Sequence, residues 1–313
     1  MGKGGSGKTT AAALFARRLA ATGAPVVAVD ADINQHLGAA LGHEGPPPPA
    51  LGADPVRLKD HLRGDNPLIG SAAEVVKTTP PGRGSRLVDL DPSGELLART
   101  SVDVDGVRLV VAGALDESDI GVSCYHGRTG AVELCLNHLV DGRGEYVVVD
   151  MTAGADAFAS GLFTRFDLTV LVSEPTRRGV GVFRQYAEHA AGYGVALRVL
   201  GNKVGDPSDV AYLREEVGDA LVGWLGWSAG VRAAERAGVG PVDELEPANL
   251  AALDAVRAVL DAQRRDWAAY HRGTVEFHRR NALSWANAAT GRDLTRQIDE
   301  DYVPGPIALP TGV

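Results

Sequence analysis

Two cysteines in 313 residues exclude a disulfide framework as the basis of the fold. No apolar run approaches the roughly 20 residues that a membrane-spanning helix needs. A basic surplus is also missing. The net charge is −9 and the pI about 5.4, which argues against bulk DNA binding, although a local basic face is compatible with it. The amino terminus is glycine-rich and has no signal-peptide pattern, and no internal repeat is visible. These absences lead us to expect a cytoplasmic protein with no membrane partner and no DNA partner. Hydrophobic residues make up 45% of the chain, enough for a large core in one or two domains.

What is present is concentrated in one octet. Gly2 to Thr9 reads Gly-Lys-Gly-Gly-Ser-Gly-Lys-Thr, the G-x-x-x-x-G-K-[ST] pattern of a phosphate-binding loop. Gly4, Gly5 and Gly7 lack side chains, so their amides can wrap closely around a polyphosphate. Lys8 suits the β and γ phosphates, and the Thr9 hydroxyl suits Mg²⁺. The expected nucleotide-binding set is Gly4, Gly5, Ser6, Gly7, Lys8, Thr9 and Thr10. The alternative is a flexible glycine-rich terminus, but a helix pattern follows at once over Lys8–Ala21, with Gly23 and Pro25 as stop signals. The helix would aim its positive end at the same anion. Val26–Asp30 then reads as a buried strand.

A phosphate loop ordinarily follows a strand, and Met1 leaves no room for one. Two neighbouring strands without that partner would carry unpaired backbone groups. Either the start is placed too late and an upstream strand is missing, or the chain tolerates the gap; the first is the expectation.

Further strands are expected at Val107–Ala112, Tyr146–Asp150, Leu168–Val172, Ala196–Leu200 and Leu221–Leu225. Helices are expected at Ala131–Leu139, Ala155–Phe163, Arg178–Ala191, Asp209–Ala220 and Ala229–Ala237. This alternation predicts an α/β fold with a doubly wound, mostly parallel sheet. Gly45–Arg86 is rich in proline and glycine, with a short helix at Val56–Leu62. Arg86–Leu90, Leu96–Thr100 and Ser101–Ala112 read as antiparallel strands. The resulting division is a nucleotide-binding domain over residues 1–250, with a small β-rich insertion at about 45–106, and a helical extension over residues 251–313. The extension has no proline before Pro304. Its Arg264, Arg265, Arg272, Arg279 and Arg280 read as a solvated helix face.

Acidic residues at strand ends complete the expected site. Asp30, Asp32 and Asp150 fall where ligands bind in open α/β sheets. One carboxylate could orient a water and another could hold Mg²⁺ through water, with Asp32 and Asp150 as the candidates. Asp30 has a plain alternative as a helix cap or turn residue.

These motifs resemble those of the ParA/MinD-type ATPases, whose phosphate loop carries an extra lysine, matched here by Lys3. The resemblance implies an ATP-dependent homodimer in which Lys3 reaches the partner's phosphates. It implies that Asp32, in Asp30–Asn34, positions the hydrolytic water. It puts Asp150, in Val148–Gly154, near magnesium, and Asn202, in Leu200–Val204, on adenine. Lys3, Lys8 and Asp32 are then the catalytic set.

Glu174-Pro175-Thr176-Arg177-Arg178 and Gly201-Asn202-Lys203-Val204 further resemble the CooC-type branch, which helps insert nickel into carbon monoxide dehydrogenase. That branch carries Cys-x-Cys before its second switch, where this chain has Cys124-Tyr125-His126. Sulfur and imidazole two apart could share a metal, and two chains would supply an S₂N₂ set suited to Zn²⁺, with Ni²⁺ as the other candidate. The plain alternative is a small buried cysteine and an unrelated loop histidine. Thr152, in place of an acidic residue, is a second departure.

The expectation is therefore an ATP-hydrolysing switch that acts as a maturation or metal-insertion factor on a client protein. A positioning ATPase of the ParA or MinD kind is the alternative, but Val303–Val313 cannot form an amphipathic membrane helix. An iron–sulfur carrier is disfavoured because Cys135, eleven residues after Cys124, sits among core positions.

Overall fold

Every residue of strand β1 (Val26–Ala31) is buried, as an unbroken apolar run requires when helices cover both faces of a sheet. The computed structural model describes residues 1–114, 126–152, 158 and 161–309, apart from the side chains of residues 126, 235 and 237. β1 lies parallel to β3 (Val107–Val111) on one side and to β4 (Tyr146–Met151) on the other. An antiparallel edge strand, β2 (Ser101–Val104), joins β3 through a turn at Asp105-Gly106. A second sheet holds β5 (Thr169–Ser173), β6 (Leu197–Val204) and β7 (Leu221–Gly226), all parallel. The orders are β2-β3-β1-β4 and β5-β6-β7. The fold is the expected mostly parallel α/β arrangement.

The two sheets are stitched at one point. Among the described residues, Met1 and Gly2 lie beside β5 on the side toward β4. The Met1 nitrogen donates to Val170 O (2.8 Å), Val172 N–H donates to Met1 O (2.6 Å), and Gly2 forms a parallel bridge to Val172.

Helices flank the sheets and begin where local chemistry dictates. α1 (Lys8–Ala20) follows the phosphate loop and α2 (Leu37–Leu41) follows β1. α3 (Pro55–Arg63) starts at Asp54, whose side chain accepts from Arg57 N–H. α6 (Arg177–Ala190) is capped by Thr176 and α7 (Pro207–Val217) by Asp206. These caps satisfy amides that have no partner within the helix. α5 (His126–His138) precedes β4, and α8 (Ala229–Ala237) follows β7. The expected helix at Ala155–Phe163 falls largely outside the described residues. Its described end is a short 3₁₀ turn, Gly161–Thr164.

The segment expected to add strands at the sheet edge departs from expectation. Leu96–Thr100 lies in helix α4 (Glu95–Thr100), and Arg86–Leu90 supplies only a bridge from Val88 to Leu139. Alternation along Leu96–Thr100 was too short to tell strand from helix. Leu96, Leu97 and Thr100 are buried on one helical face. The β-structure of the described part of this region is therefore the single β2–β3 hairpin. The proline-rich stretch is packed nonetheless, since Leu51, Leu58, Leu62, Ile69 and Val75 join the main core.

The carboxyl-terminal region is helical. α9 (Pro247–Asp261) packs against β7 and α1. α10 (Trp267–Asn281) passes through a π-helical turn, Ala282–Ala286, into α11 (Asn287–Thr290). Val76 packs with Ala282, Ala286 and Leu294. Gln297 donates to Glu74 O, and Arg83 pairs with Asp299. Arg265 is not part of a solvated face: it pairs with both Asp141 and Asp167, while Arg264, Arg272, Arg279 and Arg280 are exposed. Cys135 is buried in the main core, as expected, and burial pushes its thiol up to about 12.

Leu109, in the centre of β3, is 1% exposed. Its replacement by alanine is expected to lower unfolding free energy by about 2–5 kcal/mol, measured by urea denaturation with an unchanged slope.

Candidate functional site

The phosphate loop is held open by its own geometry and by the end of β6. Gly5 and Gly7 have φ of 78° and 87°, values that glycine adopts without strain. A Cβ on Gly7 would overlap the Asn202 amide. The Asn202 side chain donates to Ser6 O (2.7 Å) and the Lys203 ammonium donates to Gly5 O (2.8 Å). A peptide unit points its N–H opposite its C=O, so fixing Ser6 O turns the Gly7 N–H away from Asn202. Gly7 N-caps α1, placing the helix's positive end at the loop.

The cations around the loop differ in role. Lys8 is buried and has no ion-pair partner among the described residues. Lys3 lies 3.5 Å from Glu174, and Lys203 lies 2.7 Å from the same carboxylate. The Lys203 hydrogen bond, more than the charge of Lys3, holds the Glu174 carboxyl below its ordinary value. Glu174 and Lys203 lie against the loop, and the sequence motifs gave neither of them a role. Their signal was position, at the carboxyl ends of neighbouring strands.

The strand ends bring the carboxylates together. Asp30 and Asp150 are direct cross-strand partners at the carboxyl ends of β1 and β4. Asp150 accepts from the Thr9 hydroxyl at 2.6 Å. Burial pushes its carboxyl up, opposed by that hydrogen bond and by Lys8. Asp30 is wholly buried and accepts from Leu37 N–H (2.8 Å) and Asp32 N–H (3.2 Å). It is thus the turn residue that shapes the loop between β1 and α2, the plainer of its two readings. Asp32 accepts from the Asn34 backbone and side chain, each at 3.0 Å, and is half-buried at the cavity wall.

A cavity of about 980 Å³ is lined by Gly4, Gly5, Gly7, Lys8, Thr9, Thr10, Asp32, Thr152 and Asn202. Its size is that of a small-molecule site. Ser6 and Lys3 do not line it, and Asp150 reaches it through Thr9. The far wall comes from the segment after β7, with Trp227, Ser228 and Arg232, and from Asn249 of α9. Trp227 is 62% exposed. No sequence pattern marked this wall, because it follows the last strand and is joined to the loop only by folding. Among the described residues no group of three metal-ligating side chains occurs. Cys124, and the side chain of His126, lie outside the described residues.

Comparison with known proteins agrees with this geometry. Residues 1–242 match the CobQ/CobB/MinD/ParA nucleotide-binding domain. The chain is 28% identical, over 79% of its length and 89% of the relative's, to the carbon monoxide dehydrogenase accessory protein CooC of Rhodospirillum rubrum. It is 27% identical, over 72% of its length and 82% of the relative's, to an uncharacterized ATP-binding protein of Methanocaldococcus jannaschii. The fold is similar to that of an ATP complex of McdA from Cyanothece, with a TM-score of 0.55, 16% identity, and 84% and 95% of the two chains covered. It is also similar to the cell division ATPase MinD of Pyrococcus furiosus, with a TM-score of 0.51, 17% identity, and 82% and 96% covered.

Burial first, and then the charge of Asp150, push the Asp30 carboxyl up from 3.8 to about 7. The folded chain then holds a proton that the unfolded chain has released. The associated stability is present below about pH 4 and is lost as pH rises through about 7. Compared with Asp30→Asn, the native chain is expected to lose up to about 4 kcal/mol across that window. Urea midpoints of both forms at several pH values check this.

Proposed function

The chain belongs to the CobQ/CobB/MinD/ParA nucleotide-binding family, and from that premise we propose that it is an ATPase switch serving as an accessory factor in metalloenzyme maturation. One observation carries the reading: a single cavity gathers Lys8, Thr9 and Asp32 around a glycine loop whose carbonyls are already tied back.

The residues fit a nucleoside triphosphate with Mg²⁺. The loop amides and the α1 amino end would hold the β and γ phosphates, with Lys8 neutralising them. Thr9 and Asp150 would hold Mg²⁺, which supplies charge neutralisation at the phosphates when bound. Asp32 would orient a water for in-line attack on the γ phosphorus. The bond from that phosphorus to the bridging oxygen then breaks, leaving ADP and phosphate. Asn202 and the segment around Trp227 would contact the base.

The switch would be an ATP-dependent homodimer. Lys3 is half-exposed and shares Glu174 with Lys203. An exposed pair of this kind is weak, so Lys3 can leave it for a partner's phosphates. The maturation role rests on similarity to the accessory protein CooC and on the Glu174–Arg178 and Gly201–Val204 segments. Within it, Cys124 and His126 of two chains would bind Zn²⁺ or Ni²⁺, and a client protein in the cytoplasm would receive the signal. Metal analysis with and without ATP, alongside the dimerisation state, tests that part. ATP turnover stimulated by DNA or by vesicles would instead favour a positioning ATPase.

Asp32→Ala is expected to slow phosphate release by on the order of 10²-fold while ATP binding persists and the dimer accumulates. Single-turnover hydrolysis with light scattering measures both. Unchanged turnover would remove Asp32 from the mechanism.

A further inference from the structure

The helical extension lies outside the part of the chain that matches the nucleotide-binding family, residues 1–242, yet α10 grips the segment that leaves β4. Phe163 is buried and meets Phe277 of α10 edge-on, with ring centroids 5.9 Å apart. Tyr193 closes the group, 5.1 Å from Phe163 and 5.9 Å from Phe277. Phe158 rests between Phe163 (4.7 Å) and Tyr186 of α6 (4.4 Å). Arg165 donates to the Thr274 hydroxyl and lies 4.6 Å from the centre of the Tyr270 ring. Gly161 leaves no slack: a Cβ there would come within 3.0 Å of the Glu133 carboxylate and 3.1 Å of the Phe277 ring.

The next residue of α10 holds the proline-rich insertion. Leu294 O can only accept, so His278 Nε2 carries the ring proton (3.0 Å), and Nδ1 accepts from the Thr78 hydroxyl (3.3 Å). Burial pushes the pKa of this ring down, which keeps it neutral in that bonding pattern. Glu133 of α5 joins both sides. It is buried, accepts from Gly161 N–H (3.1 Å) and lies 3.8 Å from the Lys77 ammonium. Burial pushes its carboxyl up, and Lys77 and Arg165 oppose that. α10 is thus wedged between the chain leaving β4 and the insertion, and one buried carboxylate ties the two together.

Asp150 and Gly161 are eleven positions apart, and Asp150 accepts from Thr9 of the phosphate loop. Close-packed contacts have a few discrete arrangements rather than continuous give. A shift of Gly161–Arg165 has to be met by α10, and a shift of α10 by the insertion. We infer that the carboxyl-terminal extension is the readout of the nucleotide site. α10 takes up displacement of the chain leaving β4 and passes it to Val76–Thr78 and to the turn that exposes Leu283 and Trp285. This rests on the cradle at Gly4–Thr10 binding a nucleotide. Coupling is reciprocal, so loosening α10 changes nucleotide affinity by the factor that nucleotide changes α10.

Hydrogen exchange of the 313-residue chain, with and without ATP and Mg²⁺, tests this alongside titration calorimetry on the same samples. Exchange of the Thr274–Asn281 amides is expected to change at least about fivefold on ATP uptake. The change is measured against α7, which reports general stabilisation by ligand. Phe277→Leu is expected to remove about half or more of that response and to change the ATP dissociation constant at least about threefold. Where Phe277→Leu does not fold, Tyr193→Leu, at an exposed position that touches both Phe163 and Phe277, is read in the same way. ATP uptake by the native chain with α10 exchange unchanged relative to α7 would overturn the inference. An undiminished response in the variant would do the same. No ATP uptake by the native chain contradicts nucleotide binding itself, and the inference falls with it.

Discussion

Two side chains at the end of β6 decide the shape of the phosphate loop. Asn202 and Lys203 hold the Ser6 and Gly5 carbonyls. A loop of glycines would otherwise sample many conformations, at an entropic cost to any anion that orders it. Tying the carbonyls from β6 meets part of that cost before ligand arrives. Because β6 lies in one sheet and β1 and β4 in the other, the loop also couples the two halves of the molecule.

The second constraint is charge confined at the strand ends. Asp30 and Asp150 sit side by side in register, both buried. Each is kept by different donors: Asp30 by the amides of Asp32 and Leu37, Asp150 by Thr9. Asp30 therefore shapes the segment that carries Asp32, while Asp150 stays linked to the loop. Thr9 is thereby tied to Asp150, and the Asp32 amide to Asp30, at adjacent strand ends.

Much of this was legible in the sequence because the signals were local. The octet at Gly2–Thr9 and the apolar runs of β1 and β4 each carry their own physics. The misreadings came where local signals are weak or contacts are distant. Leu96–Thr100 is too short for its period to be read, and one buried face made it a helix. Arg265 looked like one arginine among five, yet it meets Asp141 and Asp167, more than ninety residues away in the chain. Trp227, Arg232 and Asn249 join the site only because β7 lies beside β6.

The central claim is that the cradle at Gly4–Thr10 takes up a nucleoside triphosphate. Isothermal titration of ATP with Mg²⁺ into the folded 313-residue chain tests it most directly. The account predicts saturable one-to-one uptake that requires the triphosphate tail and is lost with adenosine. The absence of saturable heat with any nucleoside triphosphate would contradict it.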